Sequence, residues 1–161
     1  MKSIRVSRGA DNLLQYRSGV HQAGDWNPLR RLQHMSRAVE QWVERAQYDI
    51  ETARAMLKAQ RYLYVLFCCQ QAIEKALKAV VAKQTNDFPP RTHNLPELAE
   101  DLHLALTAEQ SALFLSLTRR YIGSRYPQDV KRLGETVTAA EAKKTLAATQ
   151  EALKWLLSML E

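Results

Sequence analysis

The chain has 161 residues, 46% of them hydrophobic and 25% charged, with a formal net charge of +6. That is the size of one ordinary domain, and enough chain to bury a core without disulfide or metal staples. Gln, Glu or Lys interrupts every apolar run, so no stretch approaches the roughly 18–20 apolar residues that span a bilayer, and no apolar segment of secretory-signal type follows the N-terminal charges.

Residues 1–34 mix Gly, Asn, Asp, Gln and Arg without a clear period. They hold six basic and two acidic residues and read as a basic, disordered N-terminal extension. Met35 lies just before the first strong helical signal, which makes a misassigned start a live alternative. Ser36 offers an N-cap to a helix over about 37–58. In it Val39, Trp42, Val43, Ala46, Ile50 and Ala53 recur at spacings of three and four. Ala59-Gln60-Arg61 reads as a tight connection. A second helix over about 62–83 carries a broad apolar stripe, from Tyr64 and Val65 through Ile73 to Val80 and Val81. Such a helix belongs at the centre of a bundle, or half in a bundle and half in a dimer interface.

Residues 84–95 form a loop, because Pro89-Pro90 cannot continue a helix. Asn94 caps a short helix that runs to Leu102. Thr107 caps another, with Glu109 and Gln110 in its first turn, running to about Tyr121 and closed by Gly123. Ser124-Arg125-Tyr126-Pro127 is a turn, and 128–137 an ordered loop. Thr138 caps the last helix, with Glu141 as its capping-box partner. The pattern predicts an all-α, antiparallel up-and-down bundle of about five helices over 35–161.

The positive charge sits mostly outside that bundle. Residues 35–161 hold 17 basic and 15 acidic side chains, so a broad polyanion-binding surface does not follow from the net charge. Cys68 and Cys69 are adjacent and are the chain's two cysteines, which leaves no disulfide framework and fits a reducing cytoplasm. Both read as small buried apolar residues.

One order of motifs is distinctive. QQAIEKALKA at 70–79 follows the aromatic-rich RYLYVLF, and RTHNLPEL and then RYIGSRYP come after it. Asp49 lies on the first helix. This order resembles the HEPN family over about residues 38–160. The resemblance implies an up-and-down bundle that often dimerises through its long helices. It implies a separate nucleotidyltransferase-type protein as partner, often as a toxin–antitoxin pair. It also implies, for many members, a metal-independent ribonuclease whose site is an Arg followed, after four to six residues, by a His. That motif is not intact here: neither Arg119 nor Arg120 is followed by a His at that spacing. Arginine cannot manage a proton near neutral pH as histidine does.

The candidate site is therefore a binding site. Arg120, Arg125 and Tyr126 put two guanidinium forks and a phenol at one helix C-terminal turn, suited to phosphate. The structural alternative pairs Arg125 with an acid such as Asp49 and has Tyr126-Pro127 seal the bundle end. Lys75 and Lys78, three apart, share one side of the second helix. They either meet a ligand phosphate or form a solvated edge or inter-helix ion pairs. His93 either touches a ligand or pins the Pro-Pro loop by hydrogen bonds. Gln70 and Gln71 interrupt an apolar helix and need buried partners. Trp42 and Trp155 read as core. The four histidines show no metal-ligand spacing, and no cofactor loop is present, so neither metal nor cofactor is expected. The sequence thus predicts a dimeric module that binds nucleotide or RNA phosphate. Its rivals are a ribonuclease toxin with an atypical Arg120/Tyr126 site and a purely structural interaction module.

Overall fold

A computed structural model describes residues 28–123 and 134–161. The long helices are α1 (Pro28–Lys58), α2 (Tyr62–Thr85), α4 (Ala108–Gly123) and α5 (Ala139–Ser158), with a short α3 (Leu95–Asp101) between α2 and α4. No strand occurs among the described residues. The all-α bundle read from helical periodicity is the fold observed.

α2 is the hub. Fifteen of its 24 residues are buried, and it packs against each of the other four helices. The width of its apolar stripe is thus accounted for within one chain. α1 returns against it as an antiparallel hairpin through Ala59-Gln60-Arg61. The core runs from Ala46, Ile50 and Ala53 of α1 through Ile73 and Leu77 of α2. Leu95 and Leu98, Phe114 and Leu117, and Leu146, Leu153 and Leu156 complete it from α3, α4 and α5.

The predicted helix ends hold with two corrections. α1 begins at Pro28, not near residue 37, so Ser36 is an exposed residue within the helix and not its cap. Proline is well placed at a helix start, because its fixed φ suits the first turn and its missing N–H would have no intrahelical partner there. Residues 28–34 are thereby helical; residues 1–27 lie outside the described structure. The second correction concerns α5. Thr138 Oγ1 accepts from the Glu141 N–H at 3.1 Å as expected, but the Glu141 carboxylate pairs with Arg120. The reciprocal box is instead found on α4. There the Thr107 N–H donates to Gln110 Oε1 at 2.9 Å, and the Gln110 N–H donates to Thr107 Oγ1 at 3.2 Å. Asn94 caps α3. Of the loop predicted over 128–137, residues 134–136 are helical and 137 is a buried valine; 128–133 lie outside the described residues.

Gln60 turns the α1–α2 corner with φ 58°, in the left-handed region. A side chain there crowds its own backbone, which glycine avoids. Gln60→Gly is expected to stabilise the fold by about 0.5–1 kcal/mol, read as a higher urea midpoint at an unchanged m-value.

Cys68 and Cys69 are buried free thiols. Burial pushes Cys68 up to about 11 and Cys69 up to about 12, so neither presents a thiolate at neutral pH.

Candidate functional site

α2 carries five polar residues in its most enclosed stretch, Gln70, Gln71, Glu74, Lys75 and Lys78. Gln70, Glu74 and Lys78 follow one another at i, i+4 and i+8, so they share one face, with Gln71 beside them. Glu74 is 2% exposed. A carboxylate so enclosed must be surrounded by donors, because an unpaired buried charge is too costly to keep. Three reach it. Lys78 Nζ donates to Oε1 at 2.8 Å. Gln70 Nε2 donates to Oε2 at 3.1 Å, and His93 Nδ1 lies 3.0 Å from the same oxygen.

Burial alone would raise the Glu74 carboxyl. The hydrogen bonds from Lys78, His93 and Gln70, with the Lys78 charge, outweigh it and hold the group below the ordinary glutamate value. Lys78 is itself buried, with its ammonium 5.6 Å from the centre of the Trp42 ring on α1. Trp42 is thus neither plain core nor a base platform; it covers a charge.

His93 reaches this cluster from the 86–94 loop. Gln70 Nε2 also donates to the His93 carbonyl at 3.1 Å, so one amide ties both the carboxylate and the loop. The Tyr121 ring of α4 lies tilted against the imidazole, with centroids 5.4 Å apart. The buried partners that Gln70 needs are thus supplied by its own helix and by a loop.

The network continues the other way. Gln71 Nε2 donates to Gln70 Oε1 at 2.6 Å, and Lys75 Nζ donates to Gln71 Oε1 at 2.7 Å. Lys75 Nζ then stands 3.9 Å from Asp49 Oδ2 on α1. That separation is too long for a hydrogen bond. Accordingly burial dominates at Asp49 and raises its carboxyl, against the opposing pull of Lys75 and Arg45. Around this pair lies an open groove of about 550 Å³ lined by Glu44, Arg45, Tyr48, Asp49, Gln71 and Lys75. The Tyr48 side chain is largely exposed at its edge.

Three of the sequence-predicted site residues, Lys75, Lys78 and His93, therefore belong to one hydrogen-bonded system. The two lysines do share the side of α2 that faces α1, but they do different things. Lys78 is buried and neutralised by Glu74, while Lys75 borders the groove. Arg120 lies apart, at the corner of α4 and α5, with Nη2 on Glu141 Oε1. Arg125 and Tyr126 lie outside the described residues. Glu74 is the organiser that the motif reading did not single out. The available signal was its place between Gln70 and Lys78 on one face of an otherwise apolar helix.

Among the described residues no group of His, Cys, Asp and Glu is arranged to hold a metal ion, and no helix is long and apolar enough to cross a membrane.

Comparison with known proteins agrees with this architecture. The crystal structure of ST0689, an archaeal HEPN homologue, superposes with a TM-score of 0.62 at 25% identity, covering 76% of this chain and 98% of that one. The crystal structure of TT1696 from Thermus thermophilus gives 0.64 at 23% identity, covering 75% and 97%. No curated protein matches the sequence. The family model for the HEPN domain matches residues 39–159, which takes in α2 to α5, the His93 loop and α1 from Val39 onward, and the chain belongs to the HEPN domain family.

Proposed function

We propose that this protein is a phosphate-recognising HEPN module. On this reading it acts as a dimer with a separate nucleotidyltransferase-type protein in a toxin–antitoxin-like pair, and binds nucleotide or RNA at the polar network of α2. The observation that carries the reading is the charged cluster itself. Glu74, Lys78, Lys75 and Asp49 occupy the centre of a helix hairpin where apolar side chains would pack at no electrostatic cost. Replacing buried ion pairs with well-packed apolar residues is often neutral or stabilising, so such a cluster is weak evidence of a stability role. It opens to solvent at two places, the His93 imidazole and the groove beside Lys75. Polar groups held on rigid elements and reaching the surface suit ligand contact.

Binding is preferred to ribonuclease chemistry because Arg120 is already engaged by Glu141 and no His follows it at the family's catalytic spacing. It is preferred to a purely structural role because Lys75 and His93 reach the surface without being needed to close the core.

Ligand-dependent thermal stability tests the reading. A nucleotide or short RNA at about 100 times its Kd stabilises the folded state by about 2.7 kcal/mol, seen as a rise in Tm. The rise is expected to shrink in Lys75→Gln. Millimolar ATP, GTP and a short oligoribonucleotide all leaving Tm unchanged would dismiss ligand binding. Affinity capture of the tagged protein that recovers no nucleotidyltransferase-type protein would dismiss the partner.

A further inference from the structure

The Glu74–His93 contact decides which imidazole nitrogen changes its proton. Glu74 is an ionised carboxylate surrounded by donors, and an ionised carboxylate only accepts. Nδ1, 3.0 Å away, therefore carries a hydrogen in both the neutral and the cationic ring. The proton that comes and goes is the one on Nε2. No described residue hydrogen-bonds that nitrogen, and the side chain is 46% exposed.

The loop is fixed from several sides. Gln70 holds the His93 carbonyl, the Asn94 N–H donates to Thr92 Oγ1 at 3.2 Å, and Thr92 Oγ1 donates to Glu97 Oε2 at 3.0 Å. Tyr121 supports the ring. The imidazole is thus presented at the surface in one orientation and not swung about on a free loop.

Charge around it is balanced. On α2 the Lys78 ammonium cancels Glu74, and Lys75 opposes Asp49 of α1. α4 contributes the Tyr121 ring at the imidazole. The 86–94 loop carries exposed Arg91, and exposed Glu97 at the start of α3 is engaged by Thr92. With His93 neutral, Glu74, Lys78, Lys75 and Asp49 sum to zero, and Glu44 and Arg45 of α1, at the groove, add one charge of each sign; protonation of His93 leaves the cluster with one net positive charge, placed at its exposed end.

We propose that His93 is a proton-gated contact for a phosphate group, in which Nε2–H of the imidazolium donates to a phosphate oxygen and Glu74 is the positioning residue that confines deprotonation to Nε2. The inference rests on the phosphate-binding reading above and adds the atom that makes the contact and its dependence on pH. On losing that proton, Nε2 changes from a charged donor to a lone-pair acceptor. It then repels the oxygen it had bound.

The test uses the full chain and diuridine monophosphate, whose phosphodiester keeps one negative charge throughout the range. Binding is followed by NMR at about pH 8 and about pH 5.5, on either side of the range in which histidine side chains in general change charge. Affinity is expected to be at least about fivefold tighter at the lower pH, since a charge-assisted hydrogen bond replaces a repulsive contact. His93→Gln, a change at a half-exposed position, is expected to bind with no pH dependence. In the unsubstituted protein, nitrogen-15 spectra at about pH 8 should show the hydrogen on Nδ1. A neutral ring with its hydrogen on Nε2, or a pH dependence that persists in His93→Gln, overturns the inference. Equal affinity at both pH values overturns it while leaving phosphate binding in place. No diuridine binding at either pH overturns this inference, and the phosphate-binding reading falls with it when ATP and GTP also leave Tm unchanged.

Discussion

Glu74→Ala is expected to destabilise the protein by about 3–5 kcal/mol, because it strands a buried ammonium. Lys78 is 8% exposed at its side chain, and its hydrogen-bonded counter-charge is Glu74, with the Trp42 ring beyond. Without the carboxylate, the Lys78 charge has lost its ion pair, while Gln70 and His93 each lose an acceptor. A loss of that size is a large part of the total stability of an ordinary domain, so the variant should unfold at a much lower urea concentration. Adding Lys78→Met removes the stranded charge and should recover part of the loss. Two single changes that simply added would show that the pair is not coupled.

The same carboxylate sets an acid limit. Its folded-state pKa lies below the value of about 4.5 expected in the unfolded chain. Its contribution is therefore fully present above about pH 4.5 and is lost as pH falls through the folded value. Urea midpoints measured from about pH 6 down to about pH 3 should fall with acid, and less steeply in Glu74→Ala, which lacks the group. Parallel profiles for the two proteins would remove Glu74 from the acid response.

Phe114→Ala is the second large loss, also about 3–5 kcal/mol. Phe114 is fully buried on α4 and belongs to the central core. Truncation deletes the transfer free energy of the ring and leaves a cavity that rigid helices close only in part. It acts differently from Glu74→Ala because it removes no charge. Its cost should be nearly independent of pH between about 3 and 6, whereas the cost of Glu74→Ala should shrink as acid protonates the carboxylate. α4 also carries Tyr121, which backs His93, and Arg120, which ties α4 to α5. Phe114→Ala should therefore also loosen the ring contact, visible as averaged Tyr121 and His93 resonances. A cost below about 1 kcal/mol would mean that the neighbouring helices collapse into the space.

The sequence by itself determined the helices and most of their ends. These are local matters: the three–four spacing of apolar residues, the oxygen of Asn94, Thr107 or Thr138 ahead of a first turn, and the interruption at Pro89-Pro90 are all visible within a few positions of one another. The start of α1 escaped this logic. Ser36 is a good cap in isolation, but Pro28 is also a good first residue, and local preference alone does not choose between them.

Only the tertiary structure decided what the polar residues do. Lys75 and Lys78 look equivalent at a spacing of three, and each finds a hydrogen-bond partner on α2, yet one borders a groove and the other is sealed beneath Trp42, because α1 sets Asp49 beside the first and an indole over the second. Glu141 was legible as a capping residue, but its carboxylate turned to Arg120, 21 positions away. His93 and Glu74 stand 19 residues apart, on opposite sides of a proline-broken loop. No periodicity joins them. Their meeting depends on how the chain returns to the helix it has left, and a buried carboxylate then gathers whichever donors that return brings within reach.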